Sequence, residues 1–419
     1  MLAAALRDET AGRRCTFEVF ARRLPEGRRY GVVAGTDRFL QTLTTAFCFD
    51  DDALDLLGEF LDADTLGFLA DFRFRGDVDG YLEGELYFPD SPVLSVHGSF
   101  AECIVLETVL LSIFNHDTAI ASAAARMVSA AASRPLIEMG SRRTHEQAAV
   151  AAARAAYLAG FAATSNLHAQ RSFGIPTSGT SAHAFTLLHT DETAAFRAQV
   201  KAQGVGTTLL VDTYDITTGV ANAVAAAGPQ LGAVRIDSGE PAVLAPQVRD
   251  QLDRLGATST RIIVSGDLDE FTIAALRDAP IDTYGVGTAL VTGSGAPTAG
   301  FVYKLVEVEG VPVHKRSANK SSHGGCKQAL RVTRPSGTAV EEVIYPAGAA
   351  PQINGPARLL TMPLVRDGEV VAATGPSALA AARQRVASGL ASLPREGRQL
   401  TPGEPAISTR LIPAAQPGR

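Results

Sequence analysis

The chain has 419 residues, of which 46% are hydrophobic and 20% are charged, and its formal net charge at pH 7 is −6. This composition is typical of folded globular proteins and excludes disordered and collagen-like chains. The acidic balance, without a dense run of Lys and Arg, argues against a nucleic-acid partner.

The four cysteines are far apart in the sequence, at Cys15, Cys48, Cys103 and Cys326. They form no Cys-x-x-Cys pair, so neither a zinc ribbon nor a disulfide framework is predicted. The segment after Met1 contains Arg and Glu instead of the apolar region of a signal peptide, and no uncharged apolar run reaches about 18 residues. We therefore expect a cytoplasmic protein that does not interact with membranes.

Residues 1–105 are predicted to form a β-rich α+β domain. Short runs of alternating or continuous apolar residues indicate strands, and prolines and glycines separate them. These runs are 17–20, 30–33, 80–87 and 93–96. Two buried helices are then predicted at 101–114 and 117–132.

Residues 106–305 are predicted to form a β/α barrel that is the catalytic domain. From residue 135 onward, short apolar strands alternate with helical patterns, which is typical of right-handed βα units around a parallel sheet. Strands are predicted at 136–137, 174–175, 208–211, 233–236, 261–264 and 283–286, and helices at 147–158, 193–203, 218–227, 242–255 and 270–277. A doubly wound sheet also fits this alternation, but six units in about 150 residues favour a complete or slightly irregular barrel.

Residues 306–419 are predicted to return to hairpin-like strands. Apolar runs at 303–307, 311–313 and 329–332 indicate these strands, and the chain ends in a tail rich in Pro and Gly. We expect this C-terminal segment to pack on the N-terminal region and to form one discontinuous domain with it.

Polar residues follow every strand predicted for the barrel. These clusters are 140–143, 177–183, 212–215, 235–240, 265–267 and 285–288. Each cluster alone could be an ordinary turn or helix cap. Because catalytic groups of β/α barrels lie at the carboxyl ends of the strands, the six clusters together predict one active-site rim.

The chemistry of the clusters indicates a phosphorylated sugar as ligand. Glycines in 265–267 and 285–288 allow backbone N–H groups to approach an anion closely. Arg142, Arg143 and Arg235 supply planar donors for a carboxylate or diphosphate, and Arg143 is expected to form a plain salt bridge. Asp237 is expected to bridge ribose hydroxyls, to hold Mg²⁺ through water or to offset positive charge at the sugar's anomeric carbon, and a structural cap is the alternative.

His183 ends the segment Gly174-Ile-Pro-Thr-Ser-Gly-Thr-Ser-Ala-His183, which reads as a strand that leads into a turn. An imidazole beside hydroxyl and backbone N–H donors suits phosphoryl chemistry. A structural histidine beside a turn is the alternative, and the polar clusters on the other strands favour the functional interpretation.

These motifs resemble those of nicotinate phosphoribosyltransferases, which are type II phosphoribosyltransferases. The resemblance runs from about Phe17 to the C-terminus. The matching motifs are Gly179-Thr-Ser-Ala-His183, Thr164-Ser-Asn166, Val234-Arg-Ile-Asp-Ser-Gly239, Val264-Ser-Gly-Asp267, Gly285-Val-Gly-Thr288 and Tyr303-Lys-Leu-Val306. The resemblance implies a homodimer with an irregular α/β barrel flanked by an N-terminal domain.

The resemblance also implies an activity in NAD biosynthesis. The family joins nicotinate to 5-phosphoribosyl 1-diphosphate to give nicotinate mononucleotide, and it couples this transfer to ATP hydrolysis through a phosphohistidine. Mg²⁺ is implied mainly through the diphosphate of the substrate, and the resemblance identifies no direct protein ligand for it.

Site residues carry over from the family motifs. His183 resembles the phosphorylated histidine, Thr180 and Arg235 resemble contacts to nicotinate, and Asp237 resembles the acid at the ribose. Arg142 matches a position that meets anionic substrate groups. Further substrate contacts are implied at Ser165, Asn166, Ser238 and Gly239, and the 5′-phosphate cradle is implied at Ser265, Gly266, Asp267, Gly287 and Thr288.

The sequence departs from the family pattern at two places. The family opens with a Leu-Leu-Thr-Asp-x-Tyr-like segment whose tyrosine contacts the nicotinate ring, and this chain begins at Met1-Leu-Ala-Ala-Ala. This departure predicts either a true start upstream or an enzyme that works without that contact, and it keeps an inactive nucleotide-binding relative as an alternative. Secondly, Ala162-Ala163 replace an Asp-Gly pair, which predicts altered hydrogen bonding in that loop.

Two other enzyme classes are alternatives. A nicotinamide or quinolinate phosphoribosyltransferase would share the phosphosugar site, but an amide substrate favours a carboxylate partner, whereas Arg and Thr are present here. A barrel lyase or isomerase acting on a sugar phosphate needs a Schiff-base lysine or a paired acid and base. None of the strand-end clusters contains a lysine.

Overall fold

The structure of the chain is a computed structural model that describes residues 1–45, 47–315 and 323–413. The chain folds into two compact units. Unit 1 combines the described residues of Met1–Ser122 and Ala296–Arg419, and unit 2 is Ala123–Gly295. The divisions predicted from the sequence lie near residues 105 and 305.

Strands occur in both units and are numbered in chain order. They are β1 (Arg14–Ala21), β2 (Gly31–Val32), β3 (Asp77–Tyr81), β4 (Leu86–Tyr87), β5 (Leu94–Ser99), β6 (Leu136–Glu138), β7 (Ala163–Thr164), β8 (Thr208–Leu210), β9 (Ala233–Ile236), β10 (Arg261–Val264), β11 (Thr283–Val286), β12 (Phe301–Val308), β13 (Val311–Pro312), β14 (Lys327–Thr333), β15 (Ala339–Pro346), β16 (Ala357–Leu359), β17 (Thr361–Arg366), β18 (Glu369–Val370) and β19 (Ser408–Leu411).

Helices are numbered in the same way. They are α1 (Leu2–Arg7), α2 (Thr36–Thr45), α3 (Asp51–Leu57), α4 (Ala63–Ala70), α5 (Phe100–Ala131), α6 (Glu146–Ala159), α7 (Leu167–Phe173), α8 (His183–Leu187), α9 (Glu192–Gln203), α10 (Ile216–Ala227), α11 (Pro241–Arg254), α12 (Glu270–Ala275), α13 (Thr288–Val291) and α14 (Gly375–Ser392), and a 3₁₀ turn spans Glu396–Arg398.

Unit 2 contains one parallel sheet with the strand order β7-β6-β11-β10-β9-β8. Its first strand in the chain, β6, pairs with its last, β11, so that Ile137 lies opposite Gly285. Pairing of the first and last strands is what closes a β/α barrel. Among the strands described, no ladder joins β7 to β8, so this side stays open. The predicted irregular barrel is confirmed, and the alternative of a complete barrel is wrong.

The strands and helices of unit 2 form for local reasons. In β9, Ala233, Val234 and Ile236 are fully buried, as expected for a parallel strand that is covered on both faces. Helices α9 and α10 each follow an aspartate, Asp191 or Asp215, whose carboxylate accepts a hydrogen bond from a backbone N–H in the first turn. The βα alternation read from the sequence reflects these apolar strands and capped helices.

The strand predicted at 174–175 does not exist. Gly174 ends α7 in the left-handed conformation, with φ +69°, and Pro176 has no N–H to donate to a ladder. Thr177 makes only an isolated parallel bridge to Thr164. The strand at this place in the sheet is the two-residue β7, which has no recognisable sequence pattern.

Helix α5 joins the two helices predicted at 101–114 and 117–132 into one helix of 32 residues. Asn115 and His116, which separate the two predictions, do not break a helix. On this helix Cys103, Leu106 and Phe114 are fully buried in the core of unit 1.

By length and composition, α5 is the one helix of the described residues that could cross a membrane, and half of its most apolar window is buried within the protein. The core helix of a globular protein passes the same test. Asp117 of α5 is buried and pairs with Arg38 at 2.6 Å, which is a core contact.

Unit 1 is built from both ends of the chain. Its seven-stranded sheet has the order β13-β12-β1-β5-β3-β17-β18. The N-terminal strand β1 pairs with β12, with Cys15 opposite Val308, and Phe17 stacks on Tyr303 with ring centroids 4.7 Å apart. A second sheet has the order β16-β14-β15-β19. The predicted β-rich α+β fold from N- and C-terminal segments is therefore confirmed.

A buried charge network, centred on Arg331 of β14, also joins these segments. Arg331 Nη2 donates to Glu342 Oε2 at 2.6 Å and to the Leu86 carbonyl at 2.9 Å. Tyr81 donates its hydroxyl to the other oxygen of Glu342 at 2.6 Å. The Arg331 guanidinium lies 5.0 Å from the centroid of the Phe88 ring.

Candidate functional site

An open cavity of about 610 Å³ lies among the residues that follow the strands of unit 2. This volume suits a small-molecule ligand. The lining residues come from the carboxyl ends of β6, β7, β9, β10 and β11 and from the segment before α8. They are Met139, Ser141, Arg142, Arg143, Ser165, Gly179, Thr180, Ser181, Ala182, Arg235, Asp237, Ser265, Gly266, Asp267, Gly285, Gly287 and Thr288.

The structure brings most of the residues named from the sequence to this cavity. Those in the lining are Arg142, Ser165, Thr180, Arg235, Asp237, Ser265, Gly266, Asp267, Gly287 and Thr288, and those outside the lining are Asn166, His183, Ser238 and Gly239. Arg143, expected in a plain salt bridge, instead lines the cavity beside Arg142.

Arg235 makes three hydrogen bonds at the centre of the site. Its Nε donates to Ser265 Oγ at 2.7 Å, its Nη1 to Thr180 Oγ1 at 2.6 Å and its Nη2 to Asp237 Oδ1 at 2.5 Å. A guanidinium has five N–H donors, so one remains on each terminal nitrogen. Two such donors are the number that a bidentate carboxylate needs.

Asp237 is held in the ionised form by these neighbours. Burial favours its neutral form, but the hydrogen bond from Ser265 and the charge of Arg235 outweigh burial, so the pKa of Asp237 lies below its ordinary value. The cavity therefore contains a fixed carboxylate next to a fixed guanidinium.

His183 is the first residue of α8 and lies next to the cavity. Its Nε2 is 3.1 Å from Asp212 Oδ1, and the imidazole is 40% exposed whereas the Asp212 side chain is 1% exposed. The other oxygen of Asp212 accepts the Asp237 N–H at 3.0 Å and the Ser238 hydroxyl at 2.6 Å. Asp212 thus connects the histidine to the loop that follows β9.

Asp212 was not assigned a role from the sequence, although it lies in a cluster that follows a predicted strand. Its position directly after Val211, where the apolar run of the strand ends, was the available signal. Its three partners, at positions 183, 237 and 238, could not be read from the sequence.

Glu138 is a second residue that the sequence analysis missed. It is 1% exposed, and its carboxyl oxygens accept hydrogen bonds from the Gly140 N–H and the Thr164 hydroxyl. Burial raises the pKa of Glu138, and these two hydrogen bonds only partly oppose that effect. A carboxylate at the end of the apolar strand β6, two residues before Gly140, was the available signal.

Asn166 supports the loop on the same side of the cavity. Its Oδ1 accepts the Ala169 N–H at 3.0 Å and caps α7, while its Nδ2 donates to Ser141 Oγ at 3.0 Å. Both hydrogen-bonding groups of this side chain are therefore engaged in structural contacts. Ser165, the preceding residue, lines the cavity.

Two glycines allow the backbone to form this rim. Gly266 has φ +123°, a conformation that residues with a Cβ rarely adopt. A Cβ on Gly140 would lie 2.2 Å from Cγ1 of Val291, so only glycine fits there. Gly266 lines the cavity, and the Gly140 N–H donates to the buried carboxylate of Glu138 behind it.

Charge at the rim is suited to anionic ligands. Arg142 and Arg143 are exposed and line the cavity, and Gly287 precedes α13, where backbone N–H groups have no helical partner. Within the described ranges, no group of three or more His, Cys, Asp and Glu side chains could hold a metal ion.

Family models match most of the chain. Residues 1–115 match the nicotinate phosphoribosyltransferase N-terminal domain, and residues 135–335 match the nicotinate phosphoribosyltransferase family.

Individual proteins match over nearly the whole chain. Nicotinate phosphoribosyltransferase pncB1 of Mycobacterium tuberculosis is 71% identical, over 99% of this chain and 93% of the relative. Nicotinate phosphoribosyltransferase pncB2 of the same organism is 39% identical, over 92% of this chain and 83% of the relative. The crystal structure of human nicotinic acid phosphoribosyltransferase superposes with a TM-score of 0.85 at 24% identity, covering 98% of this chain and 96% of that chain, which shows a common fold.

Proposed function

The chain belongs to the nicotinate phosphoribosyltransferase family of NAD biosynthesis, and from this premise we propose that its rim cavity joins nicotinate to 5-phosphoribosyl 1-diphosphate. The pyridine nitrogen of nicotinate attacks C1 of the ribose, the bond from C1 to the diphosphate breaks, and nicotinate mononucleotide and diphosphate are the products. The observation that carries this assignment is Arg235, fixed at the centre of the cavity with two N–H donors left over.

Arg235 and Thr180 bind the nicotinate carboxylate in this scheme. The two remaining guanidinium donors form a bidentate pair with the carboxylate, and Thr180 is already held 2.6 Å from Arg235 Nη1. An amide substrate would leave one of these donors facing an NH₂ group. The donor set therefore favours nicotinate over nicotinamide.

Asp237 stabilises the ribose as the bond to diphosphate breaks. The transition state of such a transfer has positive charge at C1, and an ionised carboxylate held in place lowers its energy. The lowered pKa of Asp237 keeps this group charged at neutral pH. Ser238 and Gly239 follow Asp237 and provide further ribose contacts.

The phosphate groups bind at the two ends of the substrate. Main-chain N–H groups at Gly266, Asp267, Gly287 and Thr288, together with the Thr288 hydroxyl, receive the 5′-phosphate, and Arg142 receives the diphosphate. Mg²⁺, bound mainly by the diphosphate oxygens, supplies charge neutralisation of the leaving group. The oxygen-rich substrate fits this ion, since Mg²⁺ prefers oxygen ligands and takes many of them from substrate phosphates.

His183 couples ATP to the transfer. Because its Nε2 faces Asp212, the lone pair of the neutral ring lies on Nδ1, which attacks the terminal phosphorus of ATP and releases ADP. The link from Asp212 to the Asp237 N–H and to Ser238 connects the phosphorylated histidine to the ribose site. Hydrolysis of the phosphohistidine then lowers substrate affinity and releases product.

The protein works in the cytoplasm as a homodimer in this proposal. Its substrates are highly charged and do not cross membranes unaided. Leu187 and Leu188, at the end of α8, are 61% and 80% exposed in the isolated chain and provide apolar surface for a second copy. Light scattering of the purified protein measures the oligomeric state directly.

One assay tests the proposed reaction. The purified protein is incubated with 5-phosphoribosyl 1-diphosphate, Mg²⁺ and either nicotinate, nicotinamide or quinolinate, with and without ATP, and the nucleotide and diphosphate products are measured. We expect nicotinate mononucleotide as the main product and a higher rate with ATP. Equal or faster turnover of nicotinamide, or no nucleotide from any pyridine, would contradict the proposal.

A further inference from the structure

Ser265 is placed between the strands that carry the reacting groups. It directly follows β10, is 6% exposed, and its N–H donates to the carbonyl of Ile236 in β9 at 3.0 Å. On the other side it approaches β11, where a Cβ built on Gly285 would lie 3.1 Å from the Ser265 Cβ. The side chain therefore has little freedom to turn elsewhere.

The hydroxyl proton of Ser265 is used within the protein. It accepts a hydrogen bond from Arg235 Nε at 2.7 Å and donates its proton to Asp237 Oδ1. A hydroxyl carries one proton, so this proton is not available for a phosphate oxygen. The position of Ser265 in a phosphate-binding motif therefore does not describe what its side chain does.

Arg235, Asp237 and Ser265 form a closed triangle of hydrogen bonds. Asp237 Oδ1 accepts both from Ser265 and from Arg235 Nη2, the latter at 2.5 Å, and Arg235 Nε closes the triangle at Ser265. Without the hydroxyl, the guanidinium and the carboxylate would keep only one direct contact and could rotate around it.

We propose that Ser265 is a positioning residue of the phosphoribosyl transfer, which fixes the Arg235 guanidinium and the Asp237 carboxylate relative to each other and leaves the 5′-phosphate to main-chain N–H groups and the Thr288 hydroxyl. This inference rests on the proposed function, because Arg235 and Asp237 are the groups that meet nicotinate and ribose there. Ser265 then does not bind the phosphate; its hydroxyl holds two other side chains in the geometry that the transition state needs.

The charged groups around Asp237 determine how its pKa responds to loss of the Ser265 hydroxyl. Arg235 lies on β9, the His183 ring on α8 also lowers the pKa of Asp237, and Asp212 after β8 accepts the Asp237 N–H. Burial opposes ionisation, and the bond from Ser265 is the first of the contacts that offset it. Removing the hydroxyl therefore raises the pKa of Asp237.

The test is Ser265→Ala, compared with Thr288→Ala as a matched removal of a hydroxyl from the phosphate side. For Ser265→Ala we expect kcat to fall by about 10- to 100-fold, the effect of one hydrogen bond to a charged group. The KM for 5-phosphoribosyl 1-diphosphate should stay within about 2-fold, well under the tenfold change that 1.4 kcal/mol would cause. In the pH profile of kcat/KM, the acidic limb should move to higher pH, because the pKa of Asp237 rises. Thr288→Ala should raise the KM for 5-phosphoribosyl 1-diphosphate and leave the acidic limb of the pH profile unchanged.

The opposite pattern overturns the inference. If Ser265→Ala raises the KM for 5-phosphoribosyl 1-diphosphate and leaves the acidic limb unchanged, Ser265 is a phosphate ligand. Ser265→Cys is a second variant in case the alanine variant folds poorly, and its weak S–H donor should give an intermediate pH limb. Activity of the wild type with nicotinate tests the function separately, so an active wild type with an unshifted Ser265→Ala limb contradicts only this inference.

Discussion

His183 lies beside the cavity and not in its lining. Its contact with Asp212 fixes the ring, and the 40% exposure of the imidazole leaves it accessible to a phosphate donor. A histidine that attacked the ribose would have to lie among the lining residues, where Arg235 and Asp237 are found. This position agrees with the proposed role of His183, which is to couple ATP to the transfer and not to attack the ribose.

The variant His183→Asn should separate ATP coupling from the transfer itself. Asparagine keeps a polar contact to Asp212 but cannot accept a phosphoryl group as imidazole does. We expect loss of the stimulation by ATP and retention of a slow transfer, measured as nucleotide formation with and without ATP. Undiminished stimulation by ATP in the variant would rule out His183 as the acceptor.

The buried carboxyl of Glu138 should make the stability of the protein depend on pH. Burial raises the pKa of Glu138 in the folded state above its ordinary value of 4.5. The folded protein then binds this proton more tightly than the unfolded chain does. Stability is therefore lost as the pH rises from the ordinary pKa of Glu138 through its pKa in the folded state. Glu138→Gln keeps a neutral side chain of the same size.

We therefore expect the unfolding free energy of Glu138→Gln, relative to that of the wild type, to increase as the pH rises between these two pKa values. Urea unfolding at a series of pH values measures this trend, with Glu240→Gln as a control at an exposed carboxylate. A constant destabilisation of Glu138→Gln at every pH would show that the charge of Glu138 does not oppose folding.

At the scale of elements, helix α10 depends on its aspartate cap. Asp215 Oδ1 accepts the Thr218 N–H at 2.8 Å and the Thr218 hydroxyl at 2.7 Å. We expect Asp215→Ala to lower the unfolding free energy, because loss of an N-cap leaves N–H groups of the first turn without a partner. Thermal unfolding measures it. Asp253→Ala, which removes an exposed ion pair with Arg249 inside α11, should lower the unfolding free energy by less, about 0.3–0.5 kcal/mol. Equal losses in the two variants would show that the cap stabilises the protein no more than a surface ion pair does.

Elements with a strong local pattern could be predicted from the sequence. Helices α6, α9, α10 and α11 were predicted within two residues of their bounds, since each has an apolar face and a clear start. The short strand β7 could not be predicted, because two residues show no periodicity. Gly174 and Ile175 were predicted as a strand because the run is apolar. Ile175 is indeed buried, but a buried apolar residue alone does not define a strand.

The candidate site was predictable in its position and not in its internal contacts. Parallel strands bring their carboxyl ends together, so the polar residues after them had to meet. The pairings of Arg235 with Ser265 and of His183 with Asp212 join residues about 30 positions apart. Such contacts depend on strand order and side-chain orientation, which the linear sequence does not contain.

At the scale of the whole chain, the Arg331 network joins the C-terminal segment to the N-terminal segment within unit 1. Arg331 is almost fully buried with the carboxylates of Glu342 and Glu85. Arg331→Leu leaves these carboxylates without their buried cation, and we expect a loss of about 3–5 kcal/mol in unfolding free energy. Urea unfolding measures it.

Arg410→Ala is the matched control for this network. Arg410 pairs with Glu341, the neighbour of Glu342 on β15, but the pair is exposed. Its removal should cost at most about 1 kcal/mol. Similar losses in the two variants would mean that the buried network is no more important than a surface ion pair.

The pairing of β1 with β12 has a consequence for how the protein is made. Val19 is synthesised early, and its neighbour Tyr303 emerges only after the whole of unit 2. At 5–20 residues per second, the ribosome takes roughly 15 to 60 s to deliver that partner. During this interval one edge of β1 is unpaired and able to associate with other nascent chains. Slower translation should therefore increase aggregation, and chaperone binding to the first hundred residues should reduce it.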